Sequence, residues 1–183
     1  MRSRKALLAK FPRTHLSTTP GDAAMLRILI EASGARRGIE VGVEQGFGAI
    51  HMGMGFERTG GRLYSIEIDP ARVLEARRNI EKAGLEKTVS VIEGAALKVL
   101  PKLKGRFDFV FIDAEKPDYL KYLKTVEDRL KVGAIVVADN VIVHADAMVG
   151  FLDYVRKSPK YDTVIIRASM EKNDGMSVSC KLR

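Results

Sequence analysis

The chain has a single cysteine, Cys180, no tryptophan and only 6 prolines among its 183 residues. One thiol excludes an intramolecular disulfide and any cysteine-based zinc cage, and a reducing cytoplasm is the expected setting. No apolar run approaches the roughly 18 residues that a membrane-spanning helix needs, so no membrane partner is expected. The basic opening MRSRKALLAKFPRTH is apolar only from Ala6 to Ala9, too short for a secretory signal, and reads as mature protein. With 46% hydrophobic and 30% charged residues, collagen-like, low-complexity and wholly disordered readings are excluded. What remains is a single globular domain over residues 1–183, with a short segment, about residues 1–19, before its core.

Positive charge is in excess, 31 Lys+Arg against 23 Asp+Glu for a net +8. That balance favours anionic partners such as RNA. The basic residues are nevertheless spread along the chain, with modest clusters at Arg2–Lys10 and Lys98–Arg106 and no aromatics interleaved, which reads as solvated helix faces.

From about residue 36 to 166, short β-branched runs alternate with helical patterns, the signature of an α/β fold with a parallel sheet covered by helices. The expected strands are Gly38–Gly42, Arg62–Ile68, Val89–Glu93, Phe107–Asp113, Ala134–Ala138, Thr163–Arg167 and Met176–Lys181. Helices are expected near Gly21–Ala32, Gly46–Phe56, Pro70–Ala83, Leu97–Leu103, Tyr119–Leu130 and Ala145–Lys157, with Pro20 and Pro70 in first-turn positions. No helix separates the last two strands, which should pair antiparallel and so depart from a simple dinucleotide-binding sheet.

Three constellations carry chemistry. In Ile39-Glu40-Val41-Gly42-Val43-Glu44-Gln45-Gly46-Phe47-Gly48 an apolar strand runs into three glycines and a helix, letting a ligand approach the backbone. The spacing is not the Gly-x-Gly-x-x-Gly that cradles a pyrophosphate, so a cofactor without phosphates fits better than NAD or FAD. In Glu67-Ile68-Asp69-Pro70 the next strand ends in acid; Asp69 suits a helix N-cap, and Glu67 is left to accept the ribose hydroxyls of an adenosine. Finally, two buried strands end in Ile112-Asp113-Ala114-Glu115-Lys116 and Ala138-Asp139-Asn140. If these strands are neighbours, about 4.8 Å apart, both acids project into one crevice and need a positive group between them. Asp113, Asp139 and the Asn140 amide oxygen are hard ligands suited to Mg²⁺, Mn²⁺ or Ca²⁺, and Lys116 reaches the same space. His15 and His51 read as surface or packing residues and His144 as a loop residue near the site. Met148 and Phe151 have core spacing, and Cys180 reads as a small buried hydrophobe.

These residues resemble the class I S-adenosylmethionine-dependent methyltransferases, specifically the metal-dependent catechol and caffeoyl-CoA O-methyltransferase-like group and its bacterial relatives. The resemblance runs from about Leu16 to the C-terminus, and its most specific part is Asp-x-x-Lys followed by Asp-Asn. It implies a Rossmann-like seven-stranded sheet in the order 3-2-1-4-5-7-6 with one antiparallel strand. It also implies S-adenosylmethionine as cofactor, with Glu40, Gly42, Gly48 and Glu67 at cofactor positions; Gly46, Gly94, Ala95 and Asp113 join them. Asp113, Asp139 and Asn140 take the metal, and Lys116 is the catalytic lysine. Two departures touch the cofactor pocket. Val43 and Glu44 stand where many relatives have small hydroxyl residues, and Gly94-Ala95-Ala96 stands for Gly-Asp-Ala. Glu44 is then a candidate for the methionine ammonium, and Ala95 removes one partner of the adenine edge.

The expected reaction is methyl transfer to a small or CoA-linked aromatic vicinal diol, which offers a metal two neighbouring oxygens. One rival is a tRNA methyltransferase acting on a hydroxylated uridine; the absence of tryptophan and of clustered aromatics for stacking a splayed base weighs against it. Another is a non-catalytic module that binds an adenosyl ligand. The short N-terminal segment points to a homodimer in which a second subunit completes the acceptor pocket.

Overall fold

The computed structural model describes residues 2–169 and 171–183. Its centre is one seven-stranded sheet in the order β3-β2-β1-β4-β5-β7-β6. The strands are β1 (Arg37–Val41), β2 (Arg62–Glu67), β3 (Val89–Glu93), β4 (Phe107–Ile112), β5 (Leu130–Ala138), β6 (Tyr161–Ser169) and β7 (Asp174–Lys181). All neighbours are parallel except β7, antiparallel to both β5 and β6. This is the expected Rossmann-like arrangement. Helices α1 (Arg2–Ala9), α2 (Pro20–Ser33), α3 (Phe47–Thr59), α4 (Pro70–Lys82), α5 (Ala96–Val99), α6 (Tyr119–Val126) and α7 (Val149–Lys157) cover the two faces. Among the described residues no helix is long and apolar enough to cross a membrane.

Alternation in the central strands divides the core in two. Val110 and Ile112 of β4, with Val136 and Ala138 of β5, pack toward Leu123, Phe151 and Val155 of α6 and α7. Phe109, Phe111 and Val137 point the other way, toward Leu26, Ile30, Ile50 and Phe56 of α2 and α3. A strand buried on both faces must be apolar on both, which is why β4 reads as a continuous hydrophobic run. Met148 and Phe151 lie in this core, as their spacing implies.

Several elements differ from expectation for identifiable reasons. β5 already starts at Leu130; Lys131–Gly133 are exposed and lack the apolar signature that marks Ala134–Ala138, so the pattern reveals only the second half of the strand. The helix expected at Leu97–Leu103 is one α-turn followed by a 3-10 turn, Leu100–Lys102, containing Pro101, which has no N–H to donate. Helix α1 was hidden in a basic segment, yet its Leu7 and Leu8 pack against the core. Cys180 is exposed. The alternation of β7 instead turns Ser177, Ser179 and Lys181 inward, and the Lys181 Nζ donates to the carbonyls of Glu127 and Leu130 at 2.7 and 3.0 Å.

Candidate functional site

The parallel ladder continues one residue beyond several strands, and this aligns the site. Gly42 N donates to Ile66 O, Asp113 N to Val41 O, Asp139 N to Ile112 O and Gly94 N to Glu67 O, all at 2.8–3.0 Å. The carboxyl ends of β1, β2, β4 and β5 therefore form one row along a cavity of about 670 Å³. Gly42, Glu44, Gly48, Glu67, Gly94 and Ala95 lie on its wall, as do Asp113, Lys116 and Asn140. Glu40 and Asp139 sit just beneath, 1% and 2% exposed. Gly46 is the N-cap of α3 and packs on Ala76 of α4.

Glycine at position 42 serves the protein's own backbone. A Cβ there would stand 2.0 Å from the Asp113 carbonyl oxygen, and its φ of 93° is left-handed. At Gly48 a Cβ would meet Thr18 Oγ1 at 2.9 Å, so this glycine seats the N-terminal segment over the turn. Glu44, with φ 48°, ties the same segment down: Thr14 Oγ1 and Ser17 Oγ donate to its two carboxylate oxygens at 2.8 and 2.9 Å. Those bonds engage the carboxylate that the sequence offers to the methionine ammonium.

Glu67 is held by backbone amides. Ile68 and Asp69 donate to Oε1 at 2.9 and 3.1 Å, and Glu44 N donates to Oε2 at 3.0 Å, which fixes the carboxylate at the cavity wall. Asp69 caps α4 before Pro70, as its place in the sequence implies. Glu40 is enclosed: burial, with the charges of Asp113 and Glu67, pushes its carboxyl up to about 8, and its Oε2 has no partner among the described residues. It is therefore a protonated acid at neutral pH.

On the other side, Lys116 Nζ lies 3.0 Å from Asp113 Oδ1 and 2.9 Å from Tyr119 Oη. The Tyr119 hydroxyl donates in turn to the Asp139 carbonyl oxygen at 3.3 Å. Burial and the charges of Asp113 and Asp139 hold that phenol well above its ordinary range, so it stays protonated. Burial and the neighbouring Asp113 also push Asp139 up to about 7, with Asp22 adding to the effect and Lys172 opposing it. Asn140 takes the left-handed φ of 61° that asparagine tolerates, and its Nδ2 donates to Asp174 Oδ2 at 3.2 Å. The amide oxygen is left as the free acceptor.

Asp113, Asp139 and the Asn140 oxygen offer a donor set of hard oxygens, and Asp113 stands close enough to Asp139 to raise it. That chemistry suits a divalent cation. Among the described residues, however, no group of three or more His, Cys, Asp or Glu is arranged to hold a metal ion.

Tyr119, Lys172 and Asp174 belong to this neighbourhood without having been singled out in the sequence. Tyr119 follows Lys116 by three residues: Lys116 opens the 3-10 turn Lys116–Asp118, and Tyr119 is the first residue of α6 directly after it. Asp174 receives the amides of Ile142, Val143 and Gly175 on one oxygen, and only the β6–β7 turn brings it to Asn140. His144 and the exposed His15 line the cavity, whereas His51 lies outside it.

Comparison with known proteins places the chain in a family. A family model described as "O-methyltransferase" matches residues 1–168. The chain is 34% identical over 139 residues to a catechol O-methyltransferase of Niastella koreensis, covering 74% of this chain and 62% of that one. It is 38% identical over 135 residues to a catechol O-methyltransferase of Mycobacterium tuberculosis, covering 73% and 60%. With caffeoyl-CoA O-methyltransferase 2 of Petunia hybrida the identity is 31% over 148 residues, covering 78% and 61%. The chain thus spans about three fifths of the length of these relatives. Among solved structures, cofactor-bound Rv0187 from MTB superposes with a TM-score of 0.87 at 29% identity, covering 98% of this chain and 88% of that one. The O-methyltransferase TomG of Streptomyces achromogenes, in complex with SAM, gives 0.87 at 25%, covering 100% and 88%. On the match across residues 1–168, this chain belongs to the O-methyltransferase family.

Proposed function

We propose that the protein transfers the methyl group of S-adenosylmethionine to an oxygen of a small or CoA-linked aromatic vicinal diol, with a divalent cation held by Asp113, Asp139 and Asn140. The observation that carries this reading is the row of Glu67, Asp113 and Asp139 at the carboxyl edge of the sheet, around the glycine turn after β1. The Glu67 and Asp113 carboxylates on the cavity wall suit a cofactor whose sulfonium and ammonium are both positive. Relatives named catechol and caffeoyl-CoA O-methyltransferases support the acceptor class.

In the reaction the acceptor oxygen forms a bond to the methyl carbon as the carbon–sulfur bond breaks, its electron pair remaining on a sulfur that becomes a neutral thioether. The acceptor gives up its proton to solvent and must lie in line with that bond. Glu67 holds the ribose, beside the backbone of Gly42 and Gly94 on the cavity wall. When bound, the cation lowers the pKa of the chelated hydroxyls. The Lys116 ammonium, fixed between Asp113 and Tyr119, offers a positive hydrogen-bond donor to the oxygen as it becomes anionic. Tyr119 acts through Lys116 as a positioning residue. His15 and Leu16 border the cavity, and the same reading has a second subunit completing the acceptor side of a homodimer.

The test is transfer of labelled methyl from S-adenosylmethionine to catechol and caffeoyl-CoA, with Mg²⁺ and with excess chelator, for the native chain and Lys116→Ala. Chelator-sensitive methylation of a diol, lost in Lys116→Ala, is the expected result. Incorporation into total tRNA above that into diols, or full activity in chelator, overturns the reading.

A further inference from the structure

A second cavity, of about 990 Å³, lies on the opposite side of Phe47, between α1, α2 and α3. Its walls combine two kinds of side chain. Leu8, Phe11, Phe47 and Met54 supply an apolar lining, with the Phe11 and Phe47 rings edge to face at 5.3 Å. Arg4, Lys5, Arg13, Arg27 and Arg58 bring five positive charges, against Glu57 alone on the negative side.

Those charges are unevenly matched. Arg4 pairs with Glu57 and Arg13 with Glu171. Arg58 holds Glu31 at 2.6 Å, which leaves Arg27 the same carboxylate at 3.8 Å and its buried Nε without a hydrogen-bond partner. Lys5 is exposed and makes no ion pair among the described residues. On the same wall His51 is 8% exposed, and its Nδ1 also lacks a partner. Buried polar atoms without partners are uncommon in folded proteins, and among the described residues two belong to side chains that line this cavity; the Arg27 side chain as a whole is 24% exposed, so its charge is open to an occupant. Burial, helped by the Arg27 charge, pushes His51 down to about 4, so it is neutral and adds no further charge.

We propose that this cavity is a second binding site, distinct from the methyl-transfer site, for an amphipathic organic anion. Its apolar body would lie along Leu8, Phe11 and Met54, and its acidic group against Lys5 and Arg27. The size falls within the range of about 300–1,000 Å³ usual for small-molecule sites. A neutral ligand would leave the cationic excess unanswered, and a cationic one would add to it.

The probe is 8-anilinonaphthalene-1-sulfonate, titrated by fluorescence into the native chain. Octanoate, octan-1-ol and octylammonium serve as competitors, and a parallel titration is run with saturating S-adenosylhomocysteine. One probe should bind per chain and be displaced by octanoate, with octan-1-ol about tenfold weaker for want of a charge-assisted hydrogen bond. Arg27→Gln and Lys5→Glu should each weaken probe binding about tenfold. Lys5 is exposed on α1, so its substitution reports on binding even if loss of Arg27 disturbs the fold. Saturating S-adenosylhomocysteine should leave the stoichiometry unchanged. The proposal fails if octan-1-ol competes as well as octanoate, if S-adenosylhomocysteine expels the probe, or if Lys5→Glu binds as the native chain does. It fails equally if probe binding disappears as rising protein concentration drives self-association, because the cavity would then belong to a second copy.

Discussion

Three backbone amides converge on the Glu67 carboxylate, so its orientation at the cavity wall exists before any ligand arrives. A preorganised acceptor loses little entropy on binding, and charge-assisted hydrogen bonds to ribose contribute about 1.5–3 kcal/mol. Glu67→Ala should therefore weaken S-adenosylhomocysteine at least about tenfold by calorimetry; unchanged affinity would remove Glu67 from the cofactor site. Tyr119 poses a different question, because its hydroxyl touches Lys116 and the Asp139 carbonyl while its ring lies in the core. Tyr119→Phe keeps the ring and deletes only the hydroxyl. Lys116 then loses one of its two fixed partners, and kcat should fall about tenfold while cofactor affinity stays within about twofold. Equal loss in both quantities would mean that the hydroxyl supports the cavity as a whole instead of the lysine.

At the scale of elements, the critical junction is where β1 and β4 end side by side. Gly42→Ala would drive a methyl group into the Asp113 carbonyl and strain a left-handed residue, costing about 2–5 kcal/mol together. A clear fall in Tm should accompany loss of cofactor binding; a variant of native stability would show that the junction relaxes cheaply. This junction also explains what could be read in the sequence. Buried strands ending in Asp113 and Asp139 announce themselves by composition, and strand neighbourhood does the rest, since a parallel register brings both ends to one edge. The Asp174 contact to Asn140 could not be read that way, because it depends on the antiparallel turn between β6 and β7 and not on any local pattern. Cys180 misled for a related reason. Hydrophobicity alone would turn it inward, whereas the two carbonyls receiving Lys181 accompany the opposite phase of β7 and expose the thiol.

Across the whole molecule, acid groups serve two separate purposes at the two ends of the sheet. At the carboxyl edge burial, with the neighbouring acids adding to it, shifts Glu40 and Asp139 upward, an arrangement suited to a positive ligand. Beyond the start of β5, a single buried acid has the opposite environment. Burial works against the Glu127 charge, yet Tyr154, Tyr161, Lys124 and Lys160 all donate to its carboxylate at 2.6–3.2 Å and bring it down to about 2. These donors come from α6, α7, β6 and the turn before β6, so the cluster joins the last third of the chain to the core. A carboxylate whose folded pKa lies below its ordinary value of 4.5 stabilises the fold fully above that value. The contribution is lost as pH falls from about 4.5 toward 2, and amounts to on the order of 3 kcal/mol. Glu127→Gln removes the titration and leaves the neighbouring lysines without their counter-charge. Urea unfolding should find it less stable at pH 7, with a shallower decline of stability than the native chain between pH 4.5 and 2. Parallel pH profiles for the two proteins would show that the four donors hold the carboxylate no more tightly in the folded chain than water does in the unfolded one.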